Sequence, residues 1–218
     1  GGSFGTQRRT FAWNTGMLQD GWSFEGRASR ITSEGWVDRA SSDLSSLYGR
    51  VAKRWETGRL SFTTTLGHER TYQAWNGVPQ IVAAPESTEE DILNWVQGSG
   101  EYDYGADTVR VADLLDRRAQ HNYYRYENEV DNYRQDHYQV HLDQTFGDWN
   151  FGGVLYATLG AGFYEQFREG DDLSDYGLAP LVIGTDTTFA TDLVRRRWLD
   201  NTLLGTSWTV SRSTERLS

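Results

Sequence analysis

Residues 137–164 read HYQVHLDQTFGDWNFGGVLYATLGAGFY, two alternating runs joined by a three-residue Gly-Asp-Trp turn. Tyr138, Val140, Leu142 and Phe146 fall on one face of the first run, and His137, Gln139, His141, Asp143 and Thr145 on the other. In the second run Phe151, Leu155, Ala157, Leu159, Ala161 and Phe163 oppose Asn150, Tyr156, Thr158, Gly160, Gly162 and Tyr164. Period-two alternation predicts strands, and the Gly-Asp tip predicts a hairpin. Length is the constraint. A globular strand usually has about 5–6 residues, yet the second pattern holds from Phe151 to Phe163. Twelve steps at about 3.3 Å give roughly 40 Å, or about 30 Å of height at a barrel tilt. That matches the hydrocarbon thickness of a bilayer.

Composition agrees with long strands. The 218 residues include 23 glycines but only 3 prolines, with 14% aromatics; proline would interrupt strand pairing. Without cysteine, neither disulfides nor thiolate metal sites are available. A net charge of −10 argues against a nucleic-acid partner, which needs a basic surface. No apolar run is long enough for a transmembrane helix, but barrel strands carry too weak a hydropathy signal to be excluded this way. The chain opens on Gly1-Gly2-Ser3-Phe4 and stops in the polar stretch 212–218, so it is expected to be a piece of a longer protein. A missing signal peptide then says nothing of location.

Seven strands are expected, near residues 5–18, 21–33, 45–55, 59–72, 136–146, 150–165 and 194–210. Leu18-Gln19-Asp20-Gly21, Trp55-Glu56-Thr57-Gly58 and Phe146-Gly147-Asp148-Trp149 supply tight turns. Between them lie connections of 11, 63 and 28 residues. Short-long order is the signature of an up-and-down outer-membrane barrel, with short periplasmic turns and long extracellular loops. Trp22, Trp55, Trp149 and Trp208 sit near the short-turn ends, while Tyr72, Trp75, Tyr138, Phe163 and Trp198 sit towards the long loops, as two interfacial belts would require. The expected fold class is therefore all-β: an antiparallel up-and-down transmembrane β-barrel segment spanning 1–218, with a long acidic extracellular loop over 73–135.

That loop concentrates charge. From Glu86 to Asp136 thirteen acidic residues face five arginines, a net of −8. Ser87-Thr88-Glu89-Glu90 resembles a capping box before a short helix over 92–96, and 109–115 could add a second helical turn. Such acidity disfavours a strongly anionic ligand by long-range steering.

No enzymatic motif is present: G-x-S-x-G, H-E-x-x-H and P-loop patterns are all absent. Asp171-Asp172 and the pair Glu127 and Glu129 lack a neighbouring histidine in sequence that would suit acid–base work. His137 and His141 would stand about 13 Å apart on a strand, too far to share one ion; no metal or cofactor is expected. With Gln139, Asp143 and Tyr156 they are instead expected to line a barrel lumen. Tyr102-Asp103-Tyr104-Gly105-Ala106-Asp107 comes nearest to a calcium loop but lacks its spacing. The ligand-binding candidates are the loop aromatics Trp95, Tyr123, Tyr124 and Tyr126, whose faces suit sugar rings or siderophore catechols. Tyr72 and Trp75 fit an interface belt equally well.

Four phrases occur in order along the chain: Gly35-Trp36-Val37-Asp38-Arg39-Ala40-Ser41-Ser42-Asp43-Leu44, His68-Glu69-Arg70-Thr71-Tyr72-Gln73-Ala74-Trp75-Asn76-Gly77-Val78-Pro79, Asn128-Glu129-Val130-Asp131-Asn132-Tyr133-Arg134-Gln135-Asp136-His137-Tyr138 and Arg196-Arg197-Trp198-Leu199-Asp200-Asn201. Together they resemble the barrel of TonB-dependent outer-membrane receptors, particularly of the Bacteroidetes type, over nearly the whole chain. The resemblance implies a 22-stranded barrel with an N-terminal plug. It further implies contact with outer-membrane lipid, a partner TonB complex, and TonB-energised uptake of a scarce extracellular small-molecule nutrient such as an iron–siderophore complex. The chain lacks the family's plug, TonB box and aromatic-ended last strand, and seven strands would form about a third of such a wall. Two other readings stay open: a soluble β-sandwich module binding glycans, and a passive outer-membrane pore or adhesin barrel.

Overall fold

A computed structural model describes residues 1–99, 104 and 107–213. Seven strands form one antiparallel sheet in near-sequential order: β1 (Gln7–Asn14), β2 (Trp22–Ser33), β3 (Ser42–Trp55), β4 (Gly58–Tyr72), β5 (Val130–Phe146), β6 (Trp149–Asp172) and β9 (Ala190–Arg212). Each neighbour follows the last, so the sheet is an up-and-down meander. A separate hairpin of β7 (Leu181–Ile183) and β8 (Asp186–Thr188) lies between β6 and β9. It is absent from the sequence expectation, although Gly184 occupies the left-handed region its turn requires, with φ +67°.

β1 is shorter than the expected 5–18 and β2 keeps to its expected bounds, whereas the later strands outrun theirs. β5 begins at Val130, not near 136, because residues 130–135 continue the ladder with Tyr72–Gly67 of β4. The long connection therefore ends at Glu129, and Tyr138 sits in mid-strand opposite Thr64 and Ala157 instead of near a loop end. β6 has 24 residues and β9 has 23. At about 3.3 Å per residue β6 is roughly 80 Å long, about twice what a bilayer needs even when tilted. A bulge between Arg168 and Asp171 interrupts its pairing with β9, where Gly170 takes φ +59° and its N–H bonds Asp192 Oδ1 at 2.8 Å.

Register sorts the side chains into two faces. His137, Gln139, His141 and Asp143 pair with Thr158, Tyr156, Val154 and Gly152, and Thr65, Thr63, Ser61 and Arg59 continue the same rows into β4. The turn-ward part of this polar face, with Arg54, Arg59, His141, Asp143, Thr145, Asn150, Ser207 and Thr209, lines a trough of about 820 Å³. The polar face is thus the concave one. The opposite face carries the row Phe24, Val51, Phe62, Val140 and Leu155, all but Val51 being exposed. Trp208 lies so close over Gly153 that a Cβ there would meet its ring at 2.1 Å. On this face β6 is apolar from Phe151 to Phe163, then turns polar at Glu165.

Among the described residues the strands bury only Ala52 and Val130 of their apolar side chains. Most of the rest face outward, although Ile31, Leu44, Val154, Leu199 and Leu203 lie in the concave rows. The buried hydrophobic cluster is in the long connection, where Val82, Ile92, Val96, Tyr104 and Leu114 pack together. They come from α1 (Gln80–Ala83), α2 (Glu89–Ser99), α3 (Thr108–Arg117) and the segment before α3. The helix start expected at 87–90 is shifted by one residue. Thr88 Oγ1 accepts from Asp91 N, and Asp91 Oδ2 accepts from Thr88 N at 2.9 Å, a reciprocal cap. Asp107 caps α3 by accepting from Val109 N and Arg110 N, both at 3.0 Å. No helix among the described residues is long and apolar enough to cross a membrane, which has no bearing on strands.

Candidate functional site

The helical cluster is fastened over the long-loop end of the sheet by buried polar bonds. Gln73, at the end of β4, donates from Nε2 to Glu165 O at 2.9 Å. Asn122 donates from Nδ2 to Asp38 O at 2.8 Å and Gln73 O at 3.0 Å, tying the cluster to the β2–β3 connection. Arg39 reaches Tyr124 O at 3.0 Å from the same connection. Glu129, 4% exposed, accepts backbone N–H bonds from Arg125 (2.8 Å), Tyr126 (3.1 Å) and Phe167 (3.1 Å). Burial pushes its carboxyl up, and those three amides pull it part of the way back.

A ladder of rings runs from strand to lid. Tyr164 contacts Trp75 edge-on at 5.3 Å; Trp75 meets Tyr124 at 6.4 Å, Tyr124 meets Tyr123 at 5.5 Å, and Tyr123 stacks on Tyr104 at 6.2 Å. The Tyr104 hydroxyl bonds His121 Nε2 at 2.6 Å, and His121 Nδ1 bonds Asp113 Oδ2 at 2.8 Å. Since a carboxylate can only accept, Nδ1 carries the proton and Nε2 accepts from the phenol. Burial lowers the His121 pKa despite the neighbouring carboxylate. Burial raises Asp113 in turn, but bonds from Arg117 and His121 outweigh it and leave that carboxyl below its ordinary value.

Beside this ladder is a cleft of about 350 Å³ lined by Arg110, Arg125 and Arg168, by Tyr123, Tyr124 and Tyr126, and by Asn76, Gln166 and Phe167. Glu129 and Glu169 also reach it. Arg110 pairs with Glu169 and with Asp107, and Arg168 with Asp171; Arg125 is exposed. Tyr126 stacks on Phe167 at 5.8 Å. The arrangement offers ring faces and guanidinium donors together, the chemistry that holds planar, anionic aromatic groups.

Three of the four aromatics singled out in sequence, Tyr123, Tyr124 and Tyr126, line this cleft; the structure does not bring Trp95 to it. Trp95 packs on the helical cluster instead. Tyr124 is buried, not outward-facing, at 7% exposure. Trp75, half-exposed, lies over Tyr164 on the strand, whereas Tyr72 faces the other way and donates its hydroxyl to Tyr126 O at 2.7 Å. His137, Gln139, His141, Asp143 and Tyr156 share the concave face far along the strands. There His137 bonds Thr158 Oγ1 at 2.9 Å and His141 bonds Gln139 Oε1 at 3.0 Å. Among the described residues no group of three or more metal-ligating side chains is assembled; most of the calcium-like phrase 102–107 lies outside them. Sequence reasoning missed Arg110, Arg125, Arg168 and Glu129. For Arg110 and Arg125 the scarcity of arginine within so acidic a connection was the available signal; Arg168 lies outside it, in β6.

The fold and its polar trough define a segment of antiparallel up-and-down barrel wall. No protein-family model matches the chain, and no curated protein is similar to it. Two solved structures are, both of the ferric-catecholate import receptor Fiu of E. coli K12. The closed form matches with TM-score 0.59 at 13% identity and the open form with 0.59 at 14%, each over 98% of this chain. The chain spans 28% and 30% of the length of those receptor chains. At such identity the likeness is one of fold.

Proposed function

We propose that this chain is part of the wall and loop apparatus of a TonB-dependent outer-membrane receptor that takes up an iron–siderophore-type complex, with the four ordered phrases favouring the Bacteroidetes type. One observation carries the reading most directly: a barrel-wall fold brings three arginines and three tyrosines from three separate stretches to one cleft at its long-loop end. Ferric catecholates are anionic and aromatic, and guanidinium groups beside ring faces suit both properties. The surrounding acidic loop opposes such a ligand at long range, but the arginines act at contact distance, where screening is least. The outward apolar band would face lipid and the concave polar face a plug; the plug and the TonB complex would be partners in the intact protein.

The test is binding of a ferric-catecholate complex to the protein purified from outer membranes in detergent, followed by quenching of intrinsic tryptophan fluorescence. Arg125→Gln together with Arg168→Gln should weaken binding by about tenfold or more, by loss of two charge-assisted donors. Unchanged affinity in the double variant would remove the cleft from the reading. A soluble glycan-binding module is the contrasting case: it would stay monomeric without detergent and bind oligosaccharide instead.

A further inference from the structure

On the outward face, the register places charges of one sign directly opposite each other at a single level. Arg9 pairs with Arg30, Arg30 with Ser45, Ser45 with His68, and His68 with Arg134. These five positions form one row across β1 to β5, and their four inter-strand steps of about 4.8 Å give a strip roughly 19 Å long. All four basic residues in it are exposed. Like charges facing each other across a strand pair destabilise the sheet unless an anion lies between them, and Arg9 and Arg30 have none. Arg9 bonds only the Gln7 side chain, at 2.7 Å, while Arg30 turns to Asp43 on the other side, with bonds of 2.8 and 2.5 Å. Arg70, also exposed, lies one row above, opposite Asp43. Of the four arginines on these strands at this level, Arg30 is held by Asp43, and Arg134 by Asp136 at 2.5 and 3.1 Å. That leaves Arg9, bonded to Gln7, and Arg70, bonded to Asn128, without a carboxylate. The excess ends at β9, where Asp200 enters the same row.

The level of the strip matters. One row nearer the short turns, the same face reads Phe11, Ala28, Leu47 and Leu66, the upper limit of the apolar band on these strands. The cations thus stand about 7 Å above hydrocarbon-compatible surface, on the long-loop side.

We infer that the row Arg9, Arg30, His68 and Arg134, with Arg70 above it, is a docking strip for phosphorylated lipid headgroups whose acyl chains lie on the apolar band below. The inference rests on the membrane reading of the sheet's outward face. The register supplies the complement: paired guanidinium groups at cross-strand distance match a phosphate monoester's bidentate acceptors, and the strip is long enough for two phosphates on one headgroup. Its occupant is a lipid of the surrounding leaflet, because on β1 to β4 the apolar row adjoins the cations directly, while on β5 Asp136 takes that place beneath Arg134.

The experiment uses the full protein in phosphatidylcholine nanodiscs doped either with bisphosphorylated lipid A or with the same lipid stripped of its phosphates. Retained lipid is counted by native mass spectrometry after gentle detergent release. The phosphorylated form should be retained preferentially. Arg9→Gln with Arg30→Gln should cut that retention by roughly tenfold or more, at about a several-fold loss per arginine near an anionic surface. Arg27→Gln, on the concave face of β2, should leave it unchanged. Equal retention of both lipids, or no effect of the double variant, overturns the strip. Quenching of the band tryptophans by brominated acyl chains separates the two levels of the argument. Quenching without phosphate preference sinks the strip alone; absent quenching sinks the membrane reading beneath it.

Discussion

The Tyr104 hydroxyl and His121 Nε2 meet at 2.6 Å inside the lid, with Asp113 on the far side of the imidazole. With the ring neutral, Nε2 accepts from the phenol; protonation would reverse that bond and place a charge in a buried site. His121 is ordinarily half-protonated at 6.5, and burial lowers that value in the folded lid. A depressed histidine contributes stability that is complete above 6.5 and is lost as pH falls towards the folded value. Glu129 acts oppositely. Its pKa is raised above 4.5, so its burial weighs against the fold at neutral pH and is relieved on acidification. Hydrogen exchange of α3 amides should therefore quicken as pH drops below 6.5, after correction for intrinsic rates. His121→Gln should flatten that dependence in the same window; an unchanged profile would leave the imidazole without a part in it.

Glu129 carries a second expectation, concerning mechanics instead of charge. Its two oxygens accept three backbone amides, from Arg125, Tyr126 and Phe167, bridging the end of the connection to β6. Glu129→Ala strands those donors in a buried site, at about 1–3 kcal/mol for each one left unsatisfied. The connection 73–129 should become protease-sensitive while the strand ladder keeps its exchange protection. Glu129→Gln retains one acceptor oxygen and should fall between the two.

Close approach of backbones fixes where the wall tolerates no side chain. A Cβ at Gly162 would lie 2.2 Å from Asn132 O and 2.6 Å from Tyr133 Cα, both backbone atoms of the adjoining strand. At Gly205 the obstacle is the Tyr156 ring, at 2.1 Å, which can swing aside. Gly162→Ala should therefore cost the upper part of the range of about 1–3 kcal/mol for overpacking, seen as local loss of exchange protection near Asn132 and Phe163. Gly205→Ala should cost less, and Tyr156→Ala should restore it. Equal penalties at the two sites would contradict this account.

How much of this was legible follows from where each signal resides. The hairpin around Gly147 and Asp148 was readable because a two-residue period is local and its outward face stays apolar to Phe163. Beyond that point the outward residues become Glu165 and Arg196, and at the start of β5 they become Asn132 and Arg134. The ladder continues there, held by backbone bonds, but alternation of apolarity no longer reports it. Trp95 misled because an aromatic on an amphipathic helix reads alike whether it packs inward or faces a ligand. Arg110, Arg125 and Arg168 come from a helix, a loop and a strand extension, so only the folded chain shows them side by side. The reciprocal cap at Thr88 and Asp91 was nearly readable, one residue from the expected place, because capping is also local.

The two faces of β5 and β6 should respond differently to one added charge. Leu155 is half-exposed on the outward face, opposite Val140. Gln139 pairs with Tyr156 one position away, on the concave face. If the outward band meets hydrocarbon, Leu155→Arg places a guanidinium in lipid, at about 2–4 kcal/mol near the bilayer midplane. Gln139→Arg adds the same group to a face that already carries Arg50, Arg54 and Arg59, and should change stability by roughly 0.5 kcal/mol or less. Refolding into lipid vesicles across a denaturant series, followed by tryptophan emission, reads both. A large penalty at Leu155 with none at Gln139 assigns the faces as proposed here. The reverse order would place water outside and lipid or core within, and equal small penalties would mean that neither face meets lipid.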